Sequence, residues 1–419
     1  MPSAPNFRSE FLRTFVERGA FYACSEPWQE LDEMFRSERV TAYIGFDCTA
    51  SSMHIGNLVQ LMTLRRLQQA GHRPILLMGG GTTKAGDPSG KDEMRLLLTP
   101  EQIDKNKTSM LAGVKHLLKF GNQPSDAIMV DNAEWLDHLE YIPFLREVGR
   151  HFSVNRMLTM DSVKLRLERE QPMSFLEFNY SIMQAYDYVE LYKRYGCRLQ
   201  SCGSDQWGNV VSGIDLGRRM AGAQLFALST PLITTASGAK MGKSVAGAVW
   251  LNKDMLGVYD YWQFWRNTED GDVGKFLRLF TDLPLPEIAR LEALQGAELN
   301  DAKKILATEA TAVLHDRAAA NEAAETARRT FEEGEAAEGL PTHITRWDFR
   351  YGKAATEFAK ESGLVSSLSE ARRFMEGGGF RINDIAISDP AYMITKADFR
   401  NGVVKLSIGR KKHMLLKPA

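Results

Sequence analysis

The sequence predicts an α/β fold built on an open parallel sheet, followed by an α-helical region and a small α+β domain. Three observations carry this. Residues 39–131 alternate strand, helix, strand, helix and strand, the pattern of a parallel sheet with crossover helices. Residues 255–335 read as helices throughout. Past a stretch of Glu, Gly, Ala and Pro at 332–341, short helices, a Gly377-Gly378-Gly379 turn and short strands form a separate unit. The 419 residues are enough for two or three domains with a sizeable core.

Taken in order, residues 10–37 read as one or two helices leading into a strand at 39–47. Tyr43, Ile44 and Phe46 suit a buried strand, and Asp47 to Ser52 are turn formers. Leu58, Leu61, Met62, Leu64 and Leu67 recur at helical spacing, so His54-Ile55-Gly56-Asn57 is the first turn of a helix. There the unpaired backbone N–H groups and the helix dipole favour an anion. Gly56 lets a flat ligand approach the backbone, and His54 and Asn57 add donors. Alone, these four residues are no more than a capped helix start. A strand at Ile75–Met78 runs into Gly79-Gly80-Gly81 and then Gly86-Asp87-Pro88-Ser89-Gly90; a helix at about 100–120 and a strand at 127–131 follow. The polar loops after residues 47 and 79 both follow strands, so they should line one crevice beyond the carboxyl ends of the sheet. The sequence has neither a GxGxxG fingerprint nor a Walker lysine motif, which argues against dinucleotide and P-loop enzymes.

From 134 to 195 the pattern is mainly helical, with a stripe of Phe144, Leu145, Val148 and Phe152 that reads as core. Within it Tyr180, Gln184 and Asp187 share one helix face. A phenol, an amide and a carboxylate so aligned are expensive to bury without partners. A short strand at 197–200 meets the polar turn Gly203-Ser204-Asp205-Gln206, and another strand lies near 225–228. Pro231 to Gly247 is rich in Gly, Ser, Thr and Ala without apolar periodicity, the mark of a flexible loop, and it carries Lys240-Met241-Gly242-Lys243-Ser244. In the last unit, helices are expected at 354–362 and 369–376 and strands at 380–382, 385–387 and 403–408.

Composition is that of an ordinary globular chain, 44% hydrophobic and 25% charged. No run approaches the ~18 apolar residues of a membrane span, and Met1 to Arg13 has no secretory h-region. Cys24, Cys48, Cys197 and Cys202 are too few and irregular for a disulfide framework. Cys197 and Cys202 lack a second pair at zinc spacing, so no protein-bound metal is expected, and the setting reads as cytoplasmic. The net charge of −1 hides an asymmetry: residues 347–419 hold 13 Lys and Arg against 8 Asp and Glu, leaving −6 on residues 1–346. A basic tail domain suits a polyanion, with Arg372, Arg373, Arg381, Lys405, Arg410, Lys411 and Lys412 as its basic face.

Together, His54-Ile55-Gly56-Asn57 and Lys240-Met241-Gly242-Lys243-Ser244 resemble the paired HIGH and KMSKS signatures of class I aminoacyl-tRNA synthetases. The segments between them, Tyr180–Asp187 above all, resemble tyrosyl-tRNA synthetases, and the basic tail resembles a small helix–hairpin RNA-binding domain. The resemblance implies a Rossmann-like catalytic domain over 1–230 with a helical dimer-interface insertion at about 134–195. It further implies a signature loop and α-helical anticodon-binding domain over 231–335, a linker at 336–346 and an RNA-binding domain over 347–419. The implied activity is activation of L-tyrosine by ATP, with Mg2+ accompanying the nucleotide, then transfer to the terminal ribose of tRNA(Tyr) by a homodimer that needs neither membrane nor DNA.

The resemblance also implies roles. His54, Thr49, Lys240 and Lys243 would be catalytic, donating to oxygens that gain charge. Tyr43 and Asp187 would meet the tyrosine hydroxyl, Asp87, Tyr180 and Gln184 its ammonium group, and Gln206 the carboxylate side. Gly45, Asp47, His54, Gly56, Asn57, Gly203, Asp205, Lys240, Lys243 and Ser244 would line the ATP site. Two residues depart from the family pattern: Asn57 stands where a second histidine is common, and Gly242 replaces the usual serine. An amide still donates to a ribose oxygen, and both lysines remain. Two rivals are a tryptophanyl-type synthetase and a non-catalytic RNA-binding protein on the same scaffold. Tyr43 with Asp187 favours a phenol over an indole, and RNA binding alone has no need of His54, Lys240 and Lys243.

Overall fold

A six-stranded sheet organises the first half of the chain: β1 (Ala23–Cys24), β2 (Thr41–Asp47), β3 (Arg73–Gly79), β4 (Ile128–Asp131), β5 (Leu199–Gly203) and β6 (Phe226–Thr230). Their spatial order is β1-β6-β5-β2-β3-β4, and only the edge strand β1 is antiparallel to its neighbour. β3 is buried along both faces and β2 nearly so, which is why they read as almost continuous apolar runs. Strand order reverses between β2 and β5, where Tyr43 pairs with Gln200. Asp47, Gly79, Asp131 and Gly203 all fall at the carboxyl ends of their strands, the edge where such sheets bind ligands.

This computed structural model describes residues 4–88, 97–238, 241, 243–244, 247–332, 340–349, 352–400, 402–409 and 412–419. They group into two units, Met1–Leu256 with Thr268–Leu306, and Gly257–Asn267 with Ala307–Ala419. In the first, α1 (Glu10–Glu17) and α2 (Trp28–Ser37) resolve the expected one or two helices as two. The helix that begins after His54 is α3 (Ile55–Gln69), and α4 (Pro100–Val114) stops short of the expected 120. Helix α3 has buried residues all round, Leu58, Leu61, Met62, Leu64 and Leu67 among them, so it is a central strut. Val148 joins Met157, Ile182, Ala185, Val189 and Leu216 in a core cluster, with Phe144 and Phe152 only partly buried. Tyr141, Ile142, Val154, Leu165, Leu167 and Phe175 of the same region are exposed.

In the second unit, helices Val258–Arg266 and Arg317–Glu332 pack together, and Trp262 Nε1 donates to Thr308 Oγ1 at 3.1 Å. The C-terminal part folds around its own core of Phe349, Phe358, Met375, Phe380, Ile394 and Leu406. Helices Ala355–Glu361 and Leu368–Glu376 accompany a five-stranded sheet of Ile385–Ala386, Phe380–Ile382, Val404–Ile408, Lys412–Pro418 and Thr342–Thr345, in that order. Two differences from the sequence expectation stand out here. The segment expected as linker at 336–346 contributes Thr342–Thr345, which pairs in parallel with the last strand, and Leu340 is buried beside it. Its β-branched residues earn the edge position, so the small domain begins before residue 347.

The second difference is Lys405, which does not belong to an exposed basic face. It is buried, its Nζ lying 3.0 Å from Asp384 Oδ1, because its strand is interior to the sheet and covered on both sides. Asn383 and Asp384 form the left-handed hairpin turn (φ 48° and 67°) that brings this carboxylate over the lysine. Arg372, Arg373, Arg381 and Lys412 are exposed as expected, whereas Arg410 and Lys411 lie outside the described residues.

Candidate active site

The carboxyl edge of β2 and the helix Tyr180–Tyr195 build one wall of the crevice. Tyr43 is 1% exposed, its ring edge-on to Tyr188 at 5.2 Å, and its hydroxyl has no hydrogen-bond partner among the described residues. Burial first, then the nearby Asp187, push that phenol well above its ordinary value. Asp187 is 2% exposed and accepts from Trp135 Nε1 at 2.8 Å and from Asn132 Nδ2 at 2.9 Å. Burial pushes this carboxyl up to about 8, against the pull of its two donors.

Asn132 extends the network. Its Nδ2 also donates to Thr82 Oγ1 at 3.0 Å, and its Oδ1 accepts from Gly81 N at 2.8 Å. Thr82 Oγ1 in turn donates to Asp47 Oδ1 at 2.8 Å, and Tyr180 OH donates to Asp47 Oδ2 at 3.0 Å. A continuous chain of hydrogen bonds therefore runs Asp187, Asn132, Thr82, Asp47, Tyr180. The glycines at the end of β3 are needed here: a Cβ on Gly79 would lie 2.4 Å from Asp47 Oδ1, and one on Gly80 2.3 Å from Asp131 Oδ1. Beside it, Gln206 Nε2 donates to Asp87 Oδ2 at 2.8 Å and Asn209 Nδ2 to Gln206 Oε1 at 3.0 Å. The Oε1 of Gln184 is buried with no hydrogen-bond partner among the described residues.

The start of α3 forms the second part. His54 is its N-cap: Nδ1 accepts from Gly56 N at 3.0 Å, while Asn57 Oδ1 accepts from His54 N at 3.1 Å. With Nδ1 accepting, the neutral imidazole carries its proton on Nε2. A Cβ on Gly56 would sit 2.8 Å from the His54 ring and 3.3 Å from the carbonyl oxygen of Met241. The middle of the lysine-bearing segment is thus brought against the first turn of α3. Its far side is pinned there too, since Ile55 N donates to Val249 O at 2.8 Å and Leu251 N to Met53 O at 2.9 Å. Asn252 adds bonds to Ser52 and Ser109.

Of the residues expected to act, Tyr43, Asp187, Asp47, Tyr180, Asp87 and Gln206 converge on the strand ends, and His54, Gly56 and Asn57 sit together on α3. Gly45, Thr49 and Asp205 are exposed, and Gly203 ends β5, where a Cβ would lie 2.5 Å from Asp205 Oδ1. Lys240 lies outside the described residues, and Lys243 and Ser244 are described as backbone only, in a two-residue strand paired with Gly247–Ala248. Sequence reasoning missed Asn132, Trp135 and Thr82. Their one signal was position, since Asn132 and Trp135 follow β4 and Thr82 follows β3, at the same edge as Asp47.

Residues 36–332 match the family described as tRNA synthetases class I (W and Y), and residues 357–399 match the S4 domain. A tyrosine–tRNA ligase of Bradyrhizobium diazoefficiens is 60% identical over 415 residues, 99% of each chain, and one of Beijerinckia indica is 62% identical over 414 residues, 98% of each. The chain belongs to the tyrosine–tRNA ligase family of class I synthetases. A C-terminally truncated mitochondrial tyrosyl-tRNA synthetase of Aspergillus nidulans superposes on this synthetase with a TM-score of 0.70 at 30% identity, covering 77% of this chain and 95% of that one.

Proposed function

We propose that this synthetase activates L-tyrosine with ATP and then esterifies the terminal ribose of tRNA(Tyr). In the first step an oxygen of the tyrosine carboxylate attacks the α-phosphorus of ATP, the bond to the β-phosphate oxygen breaks, and pyrophosphate leaves. In the second a terminal ribose hydroxyl attacks the tyrosyl carbonyl carbon, loses its proton, and AMP leaves. Neither step calls for an enzyme nucleophile, so positioning and charge stabilisation do the catalysis.

The buried pair Tyr43 and Asp187 at the strand-order reversal is the observation that carries the reading. It offers a buried hydroxyl, without a hydrogen-bond partner among the described residues, and a carboxyl group to a phenolic OH. Asp87, Tyr180 and Gln184 take the ammonium group, and Gln206 faces the carboxylate. Asp47, held by Tyr180 and Thr82, keeps that end in place. ATP lies across the first turn of α3, over Gly56, where only a residue without a Cβ clears both His54 and the Met241 carbonyl. His54 Nε2–H and Thr49 donate to the phosphates, and Asn57, its oxygen used by the cap, offers its amide N–H to the ribose. Gly45, Gly203 and Asp205 complete the nucleotide side. Lys240 and Lys243, with Ser244, close over the triphosphate, and magnesium enters with ATP on phosphate oxygens.

The exposed Arg372, Arg373, Arg381 and Lys412 bind tRNA phosphates, together with Arg410 and Lys411. The exposed apolar side chains Tyr141, Ile142, Val154 and Phe175 support a homodimer through the insertion. Among the described residues no helix is long and apolar enough to cross a membrane, and the reaction belongs with tRNA in the cytoplasm. The test is exchange of labelled pyrophosphate into ATP. Exchange driven by tyrosine alone supports the reading. Exchange driven by tryptophan, or by none of the amino acids, points to the tryptophanyl-type or the RNA-binding alternative.

A further inference from the structure

Helix α3 is held by polar groups at its far end as well, away from the nucleotide. Arg66, on the last turn, is 5% exposed, and its Nη2 donates to the carbonyls of Arg278 at 2.8 Å and Leu279 at 2.6 Å. Arg18, at the end of α1, donates through Nη1 to the carbonyls of Arg278 and Thr281 at 3.2 and 3.0 Å, and through Nη2 to that of Leu283 at 2.8 Å. Arg65 completes the grip, with Nε and Nη2 on Asp282 Oδ2 at 2.9 and 2.7 Å and Nη1 on the Leu117 carbonyl at 2.8 Å. The carbonyls taken by Arg66 and Arg18 lie at the C-terminal end of helix Val273–Phe280, where orphan acceptors and the dipole favour cations.

This arrangement is an expensive way to fill space. Three guanidinium groups face one carboxylate, and Nε and Nη1 of Arg66 are buried without hydrogen-bond partners among the described residues. Burial, and then the charge of Arg18, pull the Arg66 guanidinium down to about 9. Apolar side chains of similar volume would pack there with less desolvation, so what the arginines add is geometry. Two carbonyls bridged by one nitrogen of a rigid planar guanidinium define the height of α3 as well as its contact. The helix has 15 residues, so a shift at this end is carried whole to the other, ~22 Å away. There the tolerance is small, because a Cβ on Gly56 would already stand 3.3 Å from the Met241 carbonyl.

We propose that Arg66, seconded by Arg18, is a positioning residue for the nucleotide half of the reaction: it sets α3 along its axis so that His54, Gly56 and Asn57 meet ATP. This rests on the nucleotide reading of the α3 N-terminus. None of the residues placed at tyrosine lies on α3: Tyr43 hangs from β2, Tyr180, Gln184 and Asp187 from the Tyr180–Tyr195 helix, and Asp87 and Gln206 from the loops after β3 and β5, so the effect is confined to one substrate.

The experiment compares Arg66→Met and Arg66→Lys in the full-length protein by pyrophosphate exchange, with rates divided by the sites counted in equilibrium tyrosine binding. In Arg66→Met, kcat per site falls roughly tenfold or more and the KM for ATP rises, while the Kd for tyrosine holds within about twofold. Arg66→Lys keeps the charge but replaces the planar guanidinium with a shorter, freely rotating ammonium, and falls between. A merely structural residue would lower Tm and the number of sites yet leave kcat and KM per site unchanged, and that result overturns the proposal. Should Arg66→Met fail to fold, Arg18→Lys and Arg66→Lys make the same comparison. His54→Gln separates the two levels of inference. Full exchange in that variant sinks the nucleotide reading itself, whereas a crippled His54→Gln beside unimpaired Arg66 variants sinks only the clamp.

Discussion

Replacing Asp187 by asparagine should reduce the preference for tyrosine over phenylalanine while leaving the pocket the same size. Both carboxylate oxygens of Asp187 accept, one from Trp135 Nε1 and the other from Asn132 Nδ2. An amide turns one acceptor into a donor, so an N–H of the new residue must face one of those two N–H groups. A buried donor left unpaired costs about 1–3 kcal/mol, which should appear as a lowered Tm. The substrate hydroxyl separately loses a bond to a charged acceptor, about 1.5–3 kcal/mol. At roughly 1.4 kcal/mol per decade, kcat/KM for tyrosine falls about tenfold to a hundredfold. Phenylalanine has no hydroxyl to lose, so its kcat/KM moves little. The assay is pyrophosphate exchange with each amino acid in parent and variant, beside a thermal melt of each. An unchanged tyrosine-to-phenylalanine ratio, or equal losses for both, would refute the assignment of Asp187 to the phenol.

Four further outcomes are expected. With its pKa near 8, Asp187 of the empty pocket is largely protonated at neutral pH; tyrosine donating to the ionised form favours proton loss, so the tyrosine-to-phenylalanine ratio should rise as pH climbs through 8 and then level. A ratio that falls with pH would mean the protonated acid donates instead. Gly79→Ala places a Cβ on Asp47 Oδ1 and Thr82 Oγ1, so exchange and Tm should both drop, by about 1–3 kcal/mol in stability, as read by denaturant titration. Arg372→Ala should weaken tRNA binding and flatten its salt dependence, whereas Lys405→Met should leave both unchanged, as filter binding at several salt concentrations would show. Truncation before Leu340 should spare exchange and impair tRNA charging, while truncation at 347 should yield a poorly soluble protein, judged by sedimentation, because it strands Thr342–Thr345 as an unpaired edge.

Much of this was legible in the sequence because it depends on local chemistry. The β2 turn, the capped start of α3 and the glycines after β3 are each written in a few adjacent residues. Tyr180, Gln184 and Asp187 were found through helical spacing. Asn132, Trp135 and Thr82 were not, because their part depends on which strands are neighbours, and nothing local to 132 says that Asp187 lies within reach. Lys405 misled for the opposite reason. Alternation along Val404-Lys405-Leu406 puts it on a solvent face, but that face is covered and Asp384 supplies a partner from across the turn. Arg66 gave no sequence signal, since its acceptors are backbone carbonyls more than two hundred residues further on.

The single asparagine at 132 ties what the pocket recognises to how it grips the reacting end. Anyone redesigning this enzyme for a non-natural amino acid would begin at Asp187, since that is where the ring substituent is read. Yet a smaller or uncharged side chain there releases the amide, which is then free to turn away from Gly81 and Thr82 and to loosen Asp47 and Tyr180 with them. New specificity would come with slack at the backbone of the amino acid, and libraries that vary 187 should vary 132 and 82 in the same round.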